Sequence, residues 1–513
     1  MQGTGLLVGL IALAAAHATA TPALAQAKAD APEVRIDSGM LRGERSGDLT
    51  VFKGIPYAAP PVGDRRWRTP APAAAWPGMR EADKFGTDCE QTRRDWDAAR
   101  AKEPKGEDCL FLNVWAPAGA KRAPVMVWIH GGSFTAGSAA QSVYDGRHLA
   151  ERGVVIVTFN YRLGRFGFFA HPALTAEAGT GPTGNWGLMD QIAALNWVKR
   201  NITAFGGDPS NVTIFGESAG GGSVNQLMVT PAARGLFHRA IAQSGGGRDH
   251  PPTLAEAEAK GTAFATGAGA TAQDVAALRA IPVDTVRGNM SLLNTEAATY
   301  SGPLVDGRIV TGNPDAIFLA GRQAAVPYLV GANSDEVAFA PAAMRAPITA
   351  MFSAQLGPDL AAVKAAYGTP EAFDRNVVGD AMFTEPARYM AGLTARNRSY
   401  LYNFDYVPEG KRATVKGAAH ASELPFVFGT LDELGVAVTD ADRKTAKAMG
   451  DYWVAFARGG TPNAPGLPAW SRFAPGTGPI MVFAAEGPVS RSSASPALDA
   501  LAKVADAKRD KGK

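Results

Sequence analysis

Four segments between Cys109 and Gly216, "CLFLNVW", "APVMVWIH", "VVIVTFNY" and "VTIFG", are nearly continuous apolar runs. A strand with one wet face alternates apolar and polar side chains, so runs like these require strands covered on both faces. Helix-like segments separate them, the clearest being "GLMDQIAALNWVKRNITAF", and further runs follow at "AIAQSG", "VPYLVGAN" and "SYLYNFDY". Strands alternating with helices imply a mainly parallel sheet flanked by helices, the α/β class. Ahead of this region, between Glu33 and Ile55, short runs such as "EVRI" and "LTVF" are separated by "DSG" and "SGD" and read as antiparallel hairpin strands. "GIPYAAPPVGDRRW" is too rich in Pro and Gly for regular structure and reads as an ordered surface loop. The Ala-rich stretch from Thr253 to Val286 reads as helical. With 513 residues, 46% of them hydrophobic, the chain can bury a large core. No repeat or long linker interrupts it, and a single α/β domain over residues 30–490 is the simplest organisation.

Charge and termini narrow the setting. The chain has 51 basic and 48 acidic residues, a balance that argues against a nucleic-acid partner. An apolar run from Leu6 to Ala16 precedes "PALAQA", with A-x-A sites ending at Ala25 or Ala27, and the first charged side chain is Lys28. That is the layout of a secretory signal peptide over residues 1–25, although no Lys or Arg precedes the apolar run. The run is too short to span a bilayer, so no transmembrane anchor is expected. A secreted or periplasmic protein is the expectation. The two cysteines fit it: Cys89 and Cys109 lie close in a polar stretch and are expected to form one disulfide. Two Cys with no His between them make a metal site improbable. Residues 491–513, ending in "KVADAKRDKGK", read as a solvated, disordered basic tail.

Within the sheet pattern, "VTIFGESAGGGS" runs a strand straight into a Gly-rich turn centred on Ser218. With 58 Gly in 513 residues, chance places a G-x-S-x-G in about a third of such chains. The motif gains meaning only if partners exist. A serine on a sharp strand-to-helix turn presents its hydroxyl as a nucleophile, and in this architecture an acid and then a histidine follow it in the chain. There are seven histidines. His17, His130, His148 and His171 precede the serine, and His238 and His250 follow too closely to leave room for a strand bearing an acid. His420, in "KGAAHASELPFVFG", remains as the base. The acid belongs just beyond a strand between the two, and "VPYLVGANSDEVAF" supplies Asp335 and Glu336, between which spacing does not choose. Backbone donors for an oxyanion are expected where "PVMVWIHGGSFTAGS" leaves its strand, completed by the N–H of Ala219. Phe134, Phe168 and Phe383 are candidate lining residues, although residues of this type in such runs more often belong simply to the core.

These segments resemble the type B carboxylesterase family, α/β-hydrolases that include cholinesterases and bacterial p-nitrobenzyl esterases. The matching stretches include "VFKGIPYAAPPVGDRRW", "EDCLFLNVWAP", "PVMVWIHGGSF", "GNWGLMDQIAALNWVKRNITAFGGDPSNVTIFGESAGGGSV", "GPLVDG", "VGANSDE", "HASELPFVFG" and "YWVAFARGGTPN", spread in family order over roughly residues 33 to 480. The resemblance implies an α/β-hydrolase fold and hydrolysis of a small-molecule ester with no cofactor or metal. It implies Ser218 as nucleophile, Glu336 as acid, His420 as base, Gly132, Ser133 and Ala219 as oxyanion donors, and a Cys89–Cys109 disulfide. Ser133 stands where the family commonly has a third glycine and keeps its N–H. Val337 ends a triplet that is usually Asp-Glu-Gly. Trp96 does not align with the tryptophan that binds choline in cholinesterases, which argues against that specificity. Two other functions share these features: a catalytically silent adhesion module, which typically lacks the nucleophile, and an amidase, thioesterase or transesterase using the same acyl-enzyme.

Overall fold

The computed structural model describes residues 31–93, 101–270, 274–291 and 294–511. The expected export segment and Trp96 lie outside the described residues. An eleven-stranded sheet dominates the fold. Its strands are β1 (Glu44–Ser46), β2 (Leu49–Pro56), β3 (Phe111–Pro117), β4 (Ala123–Ile129), β5 (Val155–Phe159), β6 (Gly207–Glu217), β7 (Arg239–Gln243), β8 (Tyr328–Asn333), β9 (Ser399–Phe404), β10 (Pro479–Ala484) and β11 (Gly487–Ser492). The spatial order is β11-β10-β9-β8-β7-β6-β4-β5-β3-β2-β1. All pairings from β10 through β5 are parallel, and antiparallel strands finish both edges. The expected N-terminal hairpins form as Glu33–Ile36 against Gly39–Arg42 and as β1 against β2.

The apolar runs follow from burial on both faces. Along β4, Val125, Val127 and Ile129 point into one core while Met126 and Trp128 point into another. The first core packs against Leu188, Leu195 and Trp197 of helix α1 (Trp186–Asn201). The second is aromatic: Trp128 meets Phe215, Tyr144 and Phe428 at 4.8, 5.0 and 5.0 Å between ring centroids. Alternation is therefore present in direction but absent in polarity. The Ala-rich stretch forms three helices, Leu254–Gly267, Val275–Ala280 and Val283–Arg287.

The expectation of a disordered tail is corrected. Residues 487–492 are the edge strand β11, and Pro496–Lys511 form a helix. Leu501 and Val504, three residues apart and so on one helical face, pack into an apolar cluster with Leu356, Val363, Phe373 and Val377. Two acidic residues of this helix form ion pairs with the body of the protein. Asp506 and Asp499 pair with Arg248 and Arg388 at 2.9 and 2.7 Å.

Candidate active site

Strand β6 ends at Glu217, and helix α2 (Ala219–Val229) begins at once, leaving Ser218 as the single corner residue. Its φ of 56° lies in the left-handed region that side chains other than glycine's disfavour. Backbone contacts hold it there: Ser218 N–H donates to Gln243 O at 2.9 Å, and Gly222 N–H donates to Ser218 O at 2.8 Å. The glycines around it have distinct reasons. A Cβ on Gly216 would stand 2.6 Å from Gly220 C, one on Gly220 2.0 Å from Ile129 O, and one on Gly221 2.7 Å from Gln243 O. Gly222 is different, with its nearest contact at 3.6 Å. Three of the four glycines are thus demanded by packing of β4, β7 and α2 at the corner.

His420 lies in the loop after β9, ahead of the short helix Leu424–Phe428. Its Nδ1 is 2.6 Å from Glu336 Oε2. The other oxygen of Glu336 accepts from the Ser244 hydroxyl and the Asn333 N–H, each at 2.7 Å. This carboxylate, 2% exposed, is therefore saturated with donors and fixed in direction. Asp335, one residue earlier, points elsewhere. Its N–H donates to Ala418 O, and its carboxylate lies 3.9 Å from Arg375. The choice that spacing left open is a matter of which side chain the turn after β8 directs toward His420.

The Nε2 side of His420 faces Glu217, whose Oε1 is 3.1 Å away. Burial depresses the protonated imidazole, but the carboxylates of Glu217 and Glu336 outweigh it and raise the His420 pKa. Burial also raises the Glu217 carboxyl well above the usual carboxylate range, against the pull of His420. The two titrate as a coupled pair.

The predicted donor loop leaves β4 at Ile129. Gly131 rests on the serine corner: a Cβ there would stand 2.8 Å from Glu217 O and 3.0 Å from Ser218 Cβ. Gly132, Ser133 and Phe134 follow with φ of 108°, 54° and 59°. His130, which opens the loop, is buried and stacked on Tyr161 at 4.5 Å, and burial lowers its pKa to about 4. It stays neutral. Phe383 lies 4.8 Å from the His420 ring, Phe339 5.7 Å, while Phe168 is buried in the core beside Phe134. Phe383 sits on a π-helical turn, Asp380–Thr384, between helices Pro370–Gly379 and Glu385–Leu393.

The model of the carboxylesterase family matches residues 30–356 and 364–499. The chain belongs to the carboxylesterase family. It is 38% identical over 499 residues to the fumonisin B1 esterase of Sphingopyxis macrogoltabida, covering 91% of this chain and 89% of that one. It is 36% identical over 445 residues to the para-nitrobenzyl esterase of Bacillus subtilis (strain 168), covering 83% and 89%. A solved PNB esterase superposes with a TM-score of 0.81 at 31% identity, over 91% of this chain and 99% of that one. The fold is the α/β-hydrolase fold, and the chain is a carboxylic ester hydrolase.

Some features of this carboxylesterase were not read from sequence. Glu217 appeared only as the variable residue of G-x-S-x-G, and Glu423 was unmarked. Glu423 is fully buried, accepting from Gln243 Nε2 at 2.9 Å and Asn333 Nδ2 at 2.7 Å. An acidic residue inside an otherwise apolar or Gly-rich run is the signal that would have found both, since ionisable groups enter such surroundings only with partners. Cys89 and Cys109 form a disulfide. Among the described residues no group of three or more His, Cys, Asp or Glu side chains is placed to hold a metal ion. None of the described helices is long and apolar enough to cross a membrane.

Proposed function

We propose that the protein is an exported serine esterase that works through an acyl-enzyme on Ser218. The observation that carries this reading is the convergence at the serine corner. Glu336, held by two donors, orients His420, and His420 lies against Glu217, the residue that precedes Ser218. His420 takes the Ser218 proton on Nε2 as the hydroxyl attacks the ester carbonyl, and the Glu336 charge stabilises the imidazolium that forms. The tetrahedral oxygen is received by the N–H groups of Gly132, Ser133 and Ala219. His420 then protonates the departing alcohol, and water attacks the acyl-enzyme by the reverse path. For Nε2 to serve Ser218, His420 must first be neutral.

Substitution Ser218→Ala tests the reading, with an expected fall in kcat of about 10⁶. A fluorophosphonate probe should add to Ser218 in the wild type and leave the variant unlabelled by mass spectrometry. A folded Ser218→Ala protein that keeps more than a trace of activity overturns the assignment. Export is supported by the Cys89–Cys109 disulfide, since such bridges persist in oxidising compartments. The mature protein should begin near Gln26 or Lys28 and titrate no free thiol before reduction. Intact Met1 together with two titratable thiols would place the protein in the cytoplasm.

The relatives named for fumonisin B1 and para-nitrobenzyl esters define the first compounds for a hydrolysis screen. That screen should vary acyl length and leaving-group bulk against the Phe383 and Phe339 rings that flank His420.

A further inference from the structure

The donor loop holds two consecutive non-glycine residues, Ser133 and Phe134, in the left-handed region. Side chains disfavour that region, so surrounding contacts must over-determine the loop. Part of the restraint is local: Thr135 N–H and Ala136 N–H both donate to Gly132 O, at 2.9 and 3.0 Å. Phe134 O also accepts from Gly164 N–H at 2.7 Å and from the Tyr300 hydroxyl at 3.3 Å, and the returning leg adds a restraint at Gly131. A Cβ on Gly137 would stand 2.2 Å from His130 Nδ1 and 2.5 Å from Gly131 O. The two legs are therefore in direct contact, and the position of Gly137 sets that of Gly131, which rests on Ser218.

Gly137 is in turn gripped by one side chain. The Gln91 carboxamide oxygen accepts from Gly137 N–H at 2.9 Å, and its nitrogen donates to Gly137 O at 2.8 Å. The same nitrogen donates to Cys89 O at 3.0 Å. The amide thus pairs with Gly137 on both sides, as a neighbouring strand would, and it does so at 1% exposure. The next loop residue is tied to the same segment, because the Ser138 hydroxyl donates to the buried Asp88 carboxylate. Asp88 and Gln91 flank Cys89, whose disulfide to Cys109 ties the segment to the chain that enters β3.

We propose that Gln91 is a positioning residue for the oxyanion donors: acting through Gly137, it holds the Gly131–Ser133 peptides at the distance a tetrahedral oxygen needs. The Cys89–Cys109 bridge anchors that grip. This inference rests on the reading of Gly132, Ser133 and Ala219 as the oxyanion site. A planar ester carbonyl leans little on those donors, whereas the tetrahedral oxygen leans on them fully. Loss of the grip should therefore appear in kcat and spare KM.

The test compares wild type, Gln91→Met, which keeps the length and loses both bonds, and Gln91→Glu. A buried, protonated Glu can still accept from Gly137 N–H and donate back to Gly137 O. Each protein is assayed for kcat and KM with a neutral ester and for inhibition by an alkyl trifluoromethyl ketone. That ketone adds to Ser218 to give a tetrahedral oxyanion. Removing one oxyanion donor outright costs about 10²–10³-fold, so a displaced loop in Gln91→Met should lower kcat by about 10–100-fold. Affinity for the ketone should fall by a similar factor, KM should stay within about threefold, and Gln91→Glu should lose less. If Gln91→Met does not fold, Gln91→Asn, one methylene too short for both Gly137 bonds, takes its place under the same criteria. Unchanged kcat and ketone affinity, whatever happens to thermal stability, overturn the proposal and leave the oxyanion reading standing. Failure of the ketone to inhibit the wild type, or equal binding to Ser218→Ala, overturns both.

Discussion

His420 lies between two carboxylates, with Glu336 2.6 Å from Nδ1 and Glu217 3.1 Å from Nε2. The charged groups around it, Glu217, Glu336 and Glu423, all favour the imidazolium and together outweigh burial, so its pKa is raised. If His420 is the base, as proposed, it works only when neutral, and activity should rise with pH through its ionisation. Glu217→Gln removes one of those charges and should move the acidic limb of kcat/KM for a neutral ester to lower pH. A limb that stays put or moves upward would show that the Glu217 charge does not set the ionisation of His420. The two acids after β8 should separate equally clearly. Glu336→Gln leaves His420 without its charged partner and should lower kcat by about 10³–10⁴-fold. Asp335→Asn, which touches Arg375 and not His420, should keep kcat within about threefold. At this scale sequence order narrowed the choice: with seven histidines, position alone singled out His420, which the structure places on Glu336. It did not choose between Asp335 and Glu336, because adjacent residues differ only in the direction their turn gives them. Nor did it mark Glu217, whose role depends on a loop two hundred residues away.

The β6–α2 corner shows how an element imposes its own composition. Gly220→Ala would put a methyl 2.0 Å from Ile129 O, a backbone atom of a central strand that has nowhere to go. That variant should fail to accumulate as folded protein, or fold without activity. Gly222→Ala meets only ordinary contacts, 3.6 Å to Gly245 O and 3.8 Å to Phe134 Cζ, inside a helix where glycine costs about 1 kcal/mol relative to alanine. It should raise the unfolding midpoint and leave kcat unaltered. Equal tolerance of both substitutions would mean that the corner is not packed as described. Sequence made the serine turn visible but treated its glycines alike, because the reason for each lies in β4 and β7. The strands were legible for a different reason. Burial on both faces removes polar residues from a run, and that mark survives in sequence without any knowledge of the neighbours. The π-helical turn that places Phe383 over His420 left no such mark, since its residues carry no pattern distinct from the helices on either side.

Over the whole molecule, the α/β architecture could be read from alternating elements, whereas the C-terminal helix could not. Seven of the sixteen residues from 496 to 511 are charged, and Leu501 and Val504, with Ala500 beside them, show where it docks. That docking matters to the site. The helix closes the apolar cluster of Leu356, Val363, Phe373, Val377 and Val378, and the last three belong to the helix that runs directly into the Phe383 turn. Leu501 and Val504 are 4% and 8% exposed, and their burial contributes at most about 1.5–3 kcal/mol each. The accompanying pair between Arg248 and Asp506 contributes far less, because Asp506 is 46% exposed and Arg248 keeps its buried partner Glu385 at 2.6 Å. Apolar contact therefore decides the stability of this region. Deleting residues 496–513 should lower the unfolding midpoint. It should also strip amide-exchange protection from residues 342–394 while β4 and β6 through β9 remain protected. Leu501→Ala with Val504→Ala should reproduce most of that loss, and Asp506→Asn almost none. If Asp506→Asn destabilises as much as the double alanine variant, the ion pair and not the apolar cluster holds the helix in place.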